Sequence, residues 1–205
     1  MHRFLYTIMD LVLPPSAAGL RIRGETPASI TRFYLPHQPG IHIALAGYKH
    51  PTVQALITAN KFEANRHASA LLAALLAQYL EQFAEPVYLV PIPLSLTRYR
   101  TRGHNQVQTI LDHLPTILPA TPTMTPALAR TWDTPPQVKQ TGEKRRSNMR
   151  HAFRCRRVAK TIPAGSTVLI LDDVLTTGAT LESAFETLRP ALAPDCSLQT
   201  LALAH

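Results

Sequence analysis

Thr167–Arg189, TVLILDDVLTTGATLESAFETLR, is the stretch from which the rest of the chain is read. Val168–Leu171 are four consecutive apolar residues, rich in branched side chains and too few for a helix core, so they are read as a central strand of a buried parallel sheet. Asp172 and Asp173 follow at once. Desolvating two carboxylates is costly unless the strand opens onto water, a cation or a hydroxyl-bearing ligand, so the strand is predicted to end at a site. Thr176-Thr177-Gly178-Ala179-Thr180 then leads into Leu181, Ala184, Phe185 and Leu188, an apolar repeat at helical spacing. The order is strand, tight loop, helix N-terminus.

A loop of this kind aims several backbone N–H groups and the positive end of a helix dipole at one small volume, which suits a phosphate. Gly178 permits close approach of the backbone. The adjacent carboxylates Asp172 and Asp173 suit ribose hydroxyls, directly or through Mg2+, which prefers few carboxylates with ligand oxygens and water completing its shell. Together these parts describe a 5-phosphoribosyl site. The competing reading is a strand end made soluble by two acids, followed by an ordinary Thr N-cap.

The composition fits one packed α/β domain: 205 residues with 45% hydrophobic content leave little room for a second full domain. Lys+Arg outnumber Asp+Glu 21 to 13, and the formal charge of +8 favours anionic partners without choosing among polyphosphate, nucleic acid and a membrane surface. Cys155 and Cys196 form no C-x-x-C pair, which makes a reducing, cytoplasmic compartment the default. None of the nine histidines stands in a metal-binding pattern. Met1–Ala18 loosely imitates an export signal, but Asp10 interrupts an apolar run too short to span a bilayer. Phe4, Leu5, Ile8, Leu11 and Val12 instead form the stripe of a docking helix that Pro14-Pro15 stops.

Working outward, Ile30–Leu35 and Ile41–Leu45 are predicted to form a small hairpin around the turn 36–40. Helices are predicted over Val53–Asn60 and Ala64–Phe83, the second with a core face through Leu71, Leu72, Leu75, Leu76 and Leu80. Val87–Ile92 is a second buried strand. Beyond it Arg98, Arg100 and Arg102 lead to Gly103-His104-Asn105-Gln106 and a helix. Ligands of parallel sheets gather at the carboxyl ends of neighbouring strands, so this basic loop should face the acidic pair, with Arg98 and Arg102 matched to phosphate oxygens. A solvated basic turn would show the same alternate spacing. Prolines at 115, 119, 122 and 126 predict irregular backbone or short edge strands. Lys139–Lys160 carries nine cations against Glu143 and has no apolar core of its own, so it is predicted to be a flexible segment. A last strand is expected over Cys196–Leu203.

The 167–189 pattern resembles the PRPP-binding motif of the type I phosphoribosyltransferases. With YKHPTVQALITANKF (48–62), VPIPLSLTRYRTRGHNQ (90–106) and DTPPQVKQTGEKRRSNMRHAF (133–153), it is similar more narrowly to the ComF/GntX branch of that fold. The resemblance implies a Rossmann-type parallel sheet flanked by helices over 48–205, preceded by a degenerate N-terminal region, 1–47. It implies PRPP as donor with Mg2+ held at Asp172 and Asp173, the phosphate held by Thr176 to Thr180, and Lys61 facing the ligand as part of a Lys-aromatic pair. Arg98 and Arg102 would lie in the pyrophosphate loop. The segment from about 132 to 150, with Lys144, would be a flexible loop closing over the donor and bringing positive charge to the leaving pyrophosphate.

Two departures from the family narrow the expectations. ComF-like proteins usually carry a cysteine-rich zinc module after the first helix, but LPPSAAGLRIRGE has no cysteine, so no zinc is expected and metal analysis should find none at stoichiometry. Several purine-salvage relatives carry a catalytic carboxylate where this chain has Thr176, which cannot accept a proton near neutral pH, so purine salvage of that type is disfavoured. Two functions stay open. One is transfer of phosphoribose from PRPP to an unidentified acceptor. The other is a non-catalytic competence and DNA-uptake protein, using PRPP or nucleotide as a signal or binding single-stranded DNA through 139–160, with Trp132 and Phe153 available to stack on bases. Relatives of the fold often pair, so a homodimer is among the implied states.

Overall fold

The structure, a computed structural model, describes residues 16–116, 118–131 and 152–205. Its centre is a five-stranded parallel sheet built from β1 (Ile43–Ala46), β2 (Val87–Pro91), β3 (Thr123–Met124), β6 (Thr167–Val174) and β7 (Ser197–Ala204), in the order β1-β7-β6-β2-β3. A short antiparallel pair, β4 (Leu128–Arg130) with β5 (Phe153–Cys155), lies apart from it. The helices are α1 (Ala17–Ile22), α2 (Pro27–Ile30), α3 (Pro51–Glu63), α4 (Arg66–Leu80), α5 (Leu96–Arg102), α6 (Gln106–Leu111) and α7 (Ala179–Leu188). This is the parallel sheet flanked by helices that the sequence predicts. Among the described residues no helix is long and apolar enough to cross a membrane.

Alternation along β6 distributes the core. Leu169 and Leu171 turn to one face, where α3, α4 and α6 bury Leu56, Leu72, Leu76 and Ile110. Val168 and Ile170 turn to the other, against Leu181, Ala184 and Leu188 of α7. The same period of two carries past the apolar run. It directs Asp173 toward the α3 layer, where Lys61 meets it. β6 does not stop at Leu171 as expected, because its register with β7 continues through Asp172↔Ala202 and Val174↔Ala204. Main-chain pairing with β7 therefore holds both carboxylates inside the sheet.

The predicted hairpin does not form. Pro27 at the first helical position and a Thr26/Ser29 capping box start α2, and the chain continues as a 3-10 turn over Thr31–Phe33. Of its pairing, the antiparallel bridge His37↔Ala44 and a bond from Leu35 N–H to the Leu45 carbonyl remain. β1 pairs in parallel with β7 (Ile43↔Leu201), so residues before 48 contribute a strand to the central sheet. The basic segment after β2 is also more ordered than expected: the Ser95 hydroxyl accepts from Arg98 N–H at 3.2 Å and caps α5, which ends at Gly103 in the left-handed region. The expected helix over Arg3–Leu13 and the segment containing Trp132 and Lys144 lie outside the described residues.

Candidate functional site

The acidic pair, the 176–180 loop and the Lys61–Phe62 and Arg102 neighbourhood meet at the carboxyl end of the sheet. Asp173 is buried, 4% exposed, with Lys61 Nζ 3.3 Å from its Oδ2. That buried oxygen makes no hydrogen bond of good geometry, so the ammonium is its counter-charge by proximity alone. Asp172 is half-buried, and its Oδ1 accepts the Asp173 backbone N–H at 2.9 Å. Desolvation, then the negative charge of Asp173 beside it, pushes the Asp172 carboxyl up to about 7, against the pull of that N–H and of Lys61. Two adjacent carboxylates share one lysine, and the pair lacks positive charge.

The loop supplies the other half. Gly178 adopts φ +76° and serves as N-cap of α7 without any side-chain hydrogen bond. Every other described α-helix is capped by its preceding side chain: Ser16, Thr26, His50, Asn65, Ser95 and Asn105. The ordinary Thr N-cap considered from sequence is therefore absent. First-turn amides of α7 thus have no side-chain cap. Thr176 and Thr177 are exposed, Gly178 and Ala179 buried, and Thr180 half-buried.

Of the arginines, Arg102 is drawn in and Arg98 stays exposed. Arg102 Nη1 donates to Gln106 Oε1 at 3.2 Å, and its guanidinium lies 5.3 Å from the Phe62 ring centroid. Burial and then Arg98 lower its pKa, while Asp173 and Asp172 oppose them, which puts the acidic pair within its electrostatic reach. Lys61 and Phe62 thus diverge: one meets Asp173, the other supports Arg102. Lys144 lies outside the described residues. Phe153, offered as a base-stacking aromatic, is 5% exposed and packs in the α7 layer, so it cannot stack on a base.

Sequence reasoning missed the residue that connects these parts. Asn60, fully buried, donates through Nδ2 to the Gln106 carbonyl at 3.1 Å and accepts at Oδ1 from Ser69 Oγ (2.8 Å) and Thr109 Oγ1 (3.0 Å). His104 bridges the Asn60 and Arg102 carbonyls, at 2.9 and 2.8 Å. A polar residue beside Leu56, Ile57 and Ala59 on the core face of α3 was the available signal.

Among the described residues no three acidic, His or Cys side chains gather as a metal cluster. A cation at Asp172/Asp173 would take the rest of its shell from ligand oxygens and water, as Mg2+ does. The under-compensated Asp173 oxygen and the proton-retaining Asp172 fit that role.

The chain is an α/β protein in which a helix N-terminus without a side-chain cap follows directly on an acidic pair at the carboxyl end of a parallel sheet. The phosphoribosyl transferase domain family matches residues 59–194, and the chain belongs to that family, with its type I parallel-sheet fold. No curated protein matches the sequence. Three solved structures are similar. The allosteric regulatory enzyme of purine biosynthesis is 14% identical with a TM-score of 0.39, over 70% of this chain and 30% of its own. A hypoxanthine phosphoribosyltransferase from Staphylococcus aureus is 18% identical at 0.32, over 67% and 60%. An adenine phosphoribosyltransferase from Leishmania tarentolae is 10% identical at 0.42, over 83% and 94%. The chain thus spans less than two thirds of the length of the first two.

Proposed function

We propose that the protein binds PRPP with Mg2+ and transfers its phosphoribosyl group to an acceptor. The uncapped N-terminus of α7 beside Asp172 and Asp173 carries the reading: it suits a 5-phosphate and a ribose diol in one ligand. In this reading the 176–180 amides orient the phosphate, and the acidic pair aligns the sugar hydroxyls. Asp172 and Asp173 would hold Mg2+, which when bound would supply charge neutralisation for the diphosphate. Arg102, with Arg98 and Lys144, offsets charge on the departing pyrophosphate. The bond from ribose C1 to the pyrophosphate oxygen breaks as the acceptor bonds to C1, and the acceptor's proton passes to the departing pyrophosphate or to solvent. Thr176 provides no base, so the acceptor is one that loses its proton without a loop carboxylate. Calorimetry with PRPP and Mg2+ should show binding by the wild type and binding weakened to the level of inorganic phosphate in Asp172→Asn/Asp173→Asn. A screen of nucleophiles for pyrophosphate release then identifies the acceptor; equal binding by both proteins would defeat the assignment.

A second reading rests on the exposed cations Arg154, Arg156, Arg157 and Lys160, on and just beyond β5. Together with the ComF-like motifs they support a role in DNA uptake and competence through contact with single-stranded DNA. Such binding should weaken steeply with salt and fall when those four are neutralised, without affecting PRPP binding.

A further inference from the structure

The 176–178 loop is shaped from behind by a residue distant in sequence. His42 precedes β1, is 8% exposed, and places Nδ1 2.7 Å from Thr200 Oγ1 on β7. The other side of its ring faces the loop. A Cβ built on Gly178 would lie 2.5 Å from His42 Nε2 and 2.8 Å from Cδ2, closer than side-chain carbons are found. Register explains the contact: Ile43 pairs with Leu201, so His42 adjoins Thr200, two residues before the Ala202 that faces the α7 layer. The imidazole is therefore wedged between the sheet and the N-terminal end of α7. Burial lowers its pKa, opposed by Glu182 in the first turn of α7, so the ring avoids placing positive charge beneath the positive end of that helix. Both His42 and Thr200 lie outside the family-matched residues 59–194.

We infer that His42 is a positioning residue for the phosphate loop: held by Thr200, its imidazole fixes the backbone at Gly178 and thereby the direction of the amides at the start of α7. The ligand assigned to that loop rests on the proposed function; the hold of His42 on Gly178 does not.

A double-mutant cycle separates the two. Urea unfolding is measured for wild type, His42→Ala, Gly178→Ala and the double variant. Gly178→Ala carries backbone strain in either background but meets the ring only when His42 is present. The loss in unfolding midpoint caused by Gly178→Ala should shrink by roughly half or more in the His42→Ala background; equal losses in both backgrounds would overturn the contact. Calorimetry with PRPP and Mg2+ then tests positioning. His42→Ala and His42→Asn, the latter keeping a partner for Thr200 but not reaching the loop, should weaken binding about tenfold or more. His42→Gln, long enough to reach Gly178, should restore most of it. A His42→Ala protein that binds as tightly as wild type, or a His42→Gln protein no better than His42→Ala, sinks the positioning role. A wild type that binds no PRPP defeats the functional reading, and the urea cycle still decides the His42 contact.

Discussion

At the residue scale, the unusual group is Asp172. In the unfolded chain it ionises near the ordinary value of about 3.9; in the folded protein desolvation and Asp173 hold its pKa at about 7. Between those values the native state keeps a proton that the unfolded state has lost, so stability falls as pH rises from about 4 to about 7 and then levels off. Asp172→Asn should flatten this profile and, at pH 8 without ligand, exceed wild type by about 1–3 kcal/mol, a range discounted for the partly exposed side chain. Urea midpoints from pH 4 to 8 check it; an unchanged slope would place the dependence on another group. Lys61 behaves oppositely. Its ammonium is the described partner of the buried Asp173 oxygen, so Lys61→Met should destabilise by about 1–3 kcal/mol at pH 7, and adding Asp173→Asn should recover part of that loss. Additive losses in the cycle would argue against the ion pair. The acidic pair was legible in the sequence because charges after an apolar run are costly. Its place inside the strand was not, because that follows from a register with β7 that no local pattern encodes.

At the scale of elements, Asn60 joins α3 to α4 and α6 at the point where Lys61 and Phe62 leave α3. Removing its side chain takes three hydrogen bonds from the buried network and leaves a cavity, although Thr109 Oγ1 still donates to the Gln106 carbonyl and Ser69 Oγ to the Asn65 carbonyl, so Asn60→Ala should cost about 1–3 kcal/mol. It should also weaken PRPP binding beyond what Phe62→Ala does, because it frees α3 and α6 together, whereas Phe62 is 67% exposed and touches Arg102 from one side. Comparing the two variants by urea unfolding and calorimetry tests this; an Asn60→Ala protein with native stability would contradict the described network. The long apolar faces of α3 and α4 and the strands β2, β6 and β7 could be read because their periods of 3.6 and 2 extend over whole elements. Ile30–Leu35 could not: its branched residues favour a strand, but the Thr26/Ser29 box and Pro27 act first and start a helix. The Arg98–Arg102 segment was read by its charge, whereas Ser95 decided its conformation.

At the scale of the whole molecule, one sheet separates two apolar layers, and the candidate site touches both. Asp173 reaches the α3 side through Lys61, while the 176–180 loop opens α7 on the other. β1 joins the same sheet from before residue 48 and pairs with β7, which pairs in turn with β6, so the strand that carries the acidic pair is held in the middle of one continuous sheet. A ligand held by the acidic pair and the loop together should therefore stabilise the molecule as a unit. At a hundredfold excess over Kd, mass action gives about 2.7 kcal/mol, which for a chain of this size raises Tm by about 5–11 °C. Scanning calorimetry with PRPP and Mg2+ should show one transition displaced by that amount. Inorganic phosphate, which engages the loop alone, should give a smaller shift that survives Asp172→Asn/Asp173→Asn, while the PRPP shift in that variant falls to the phosphate level. The comparison assigns each half of the ligand to its own half of the site. If PRPP and phosphate gave equal shifts in the wild type, the sugar would be making no contact with the acidic pair, and the site would be an anion site only.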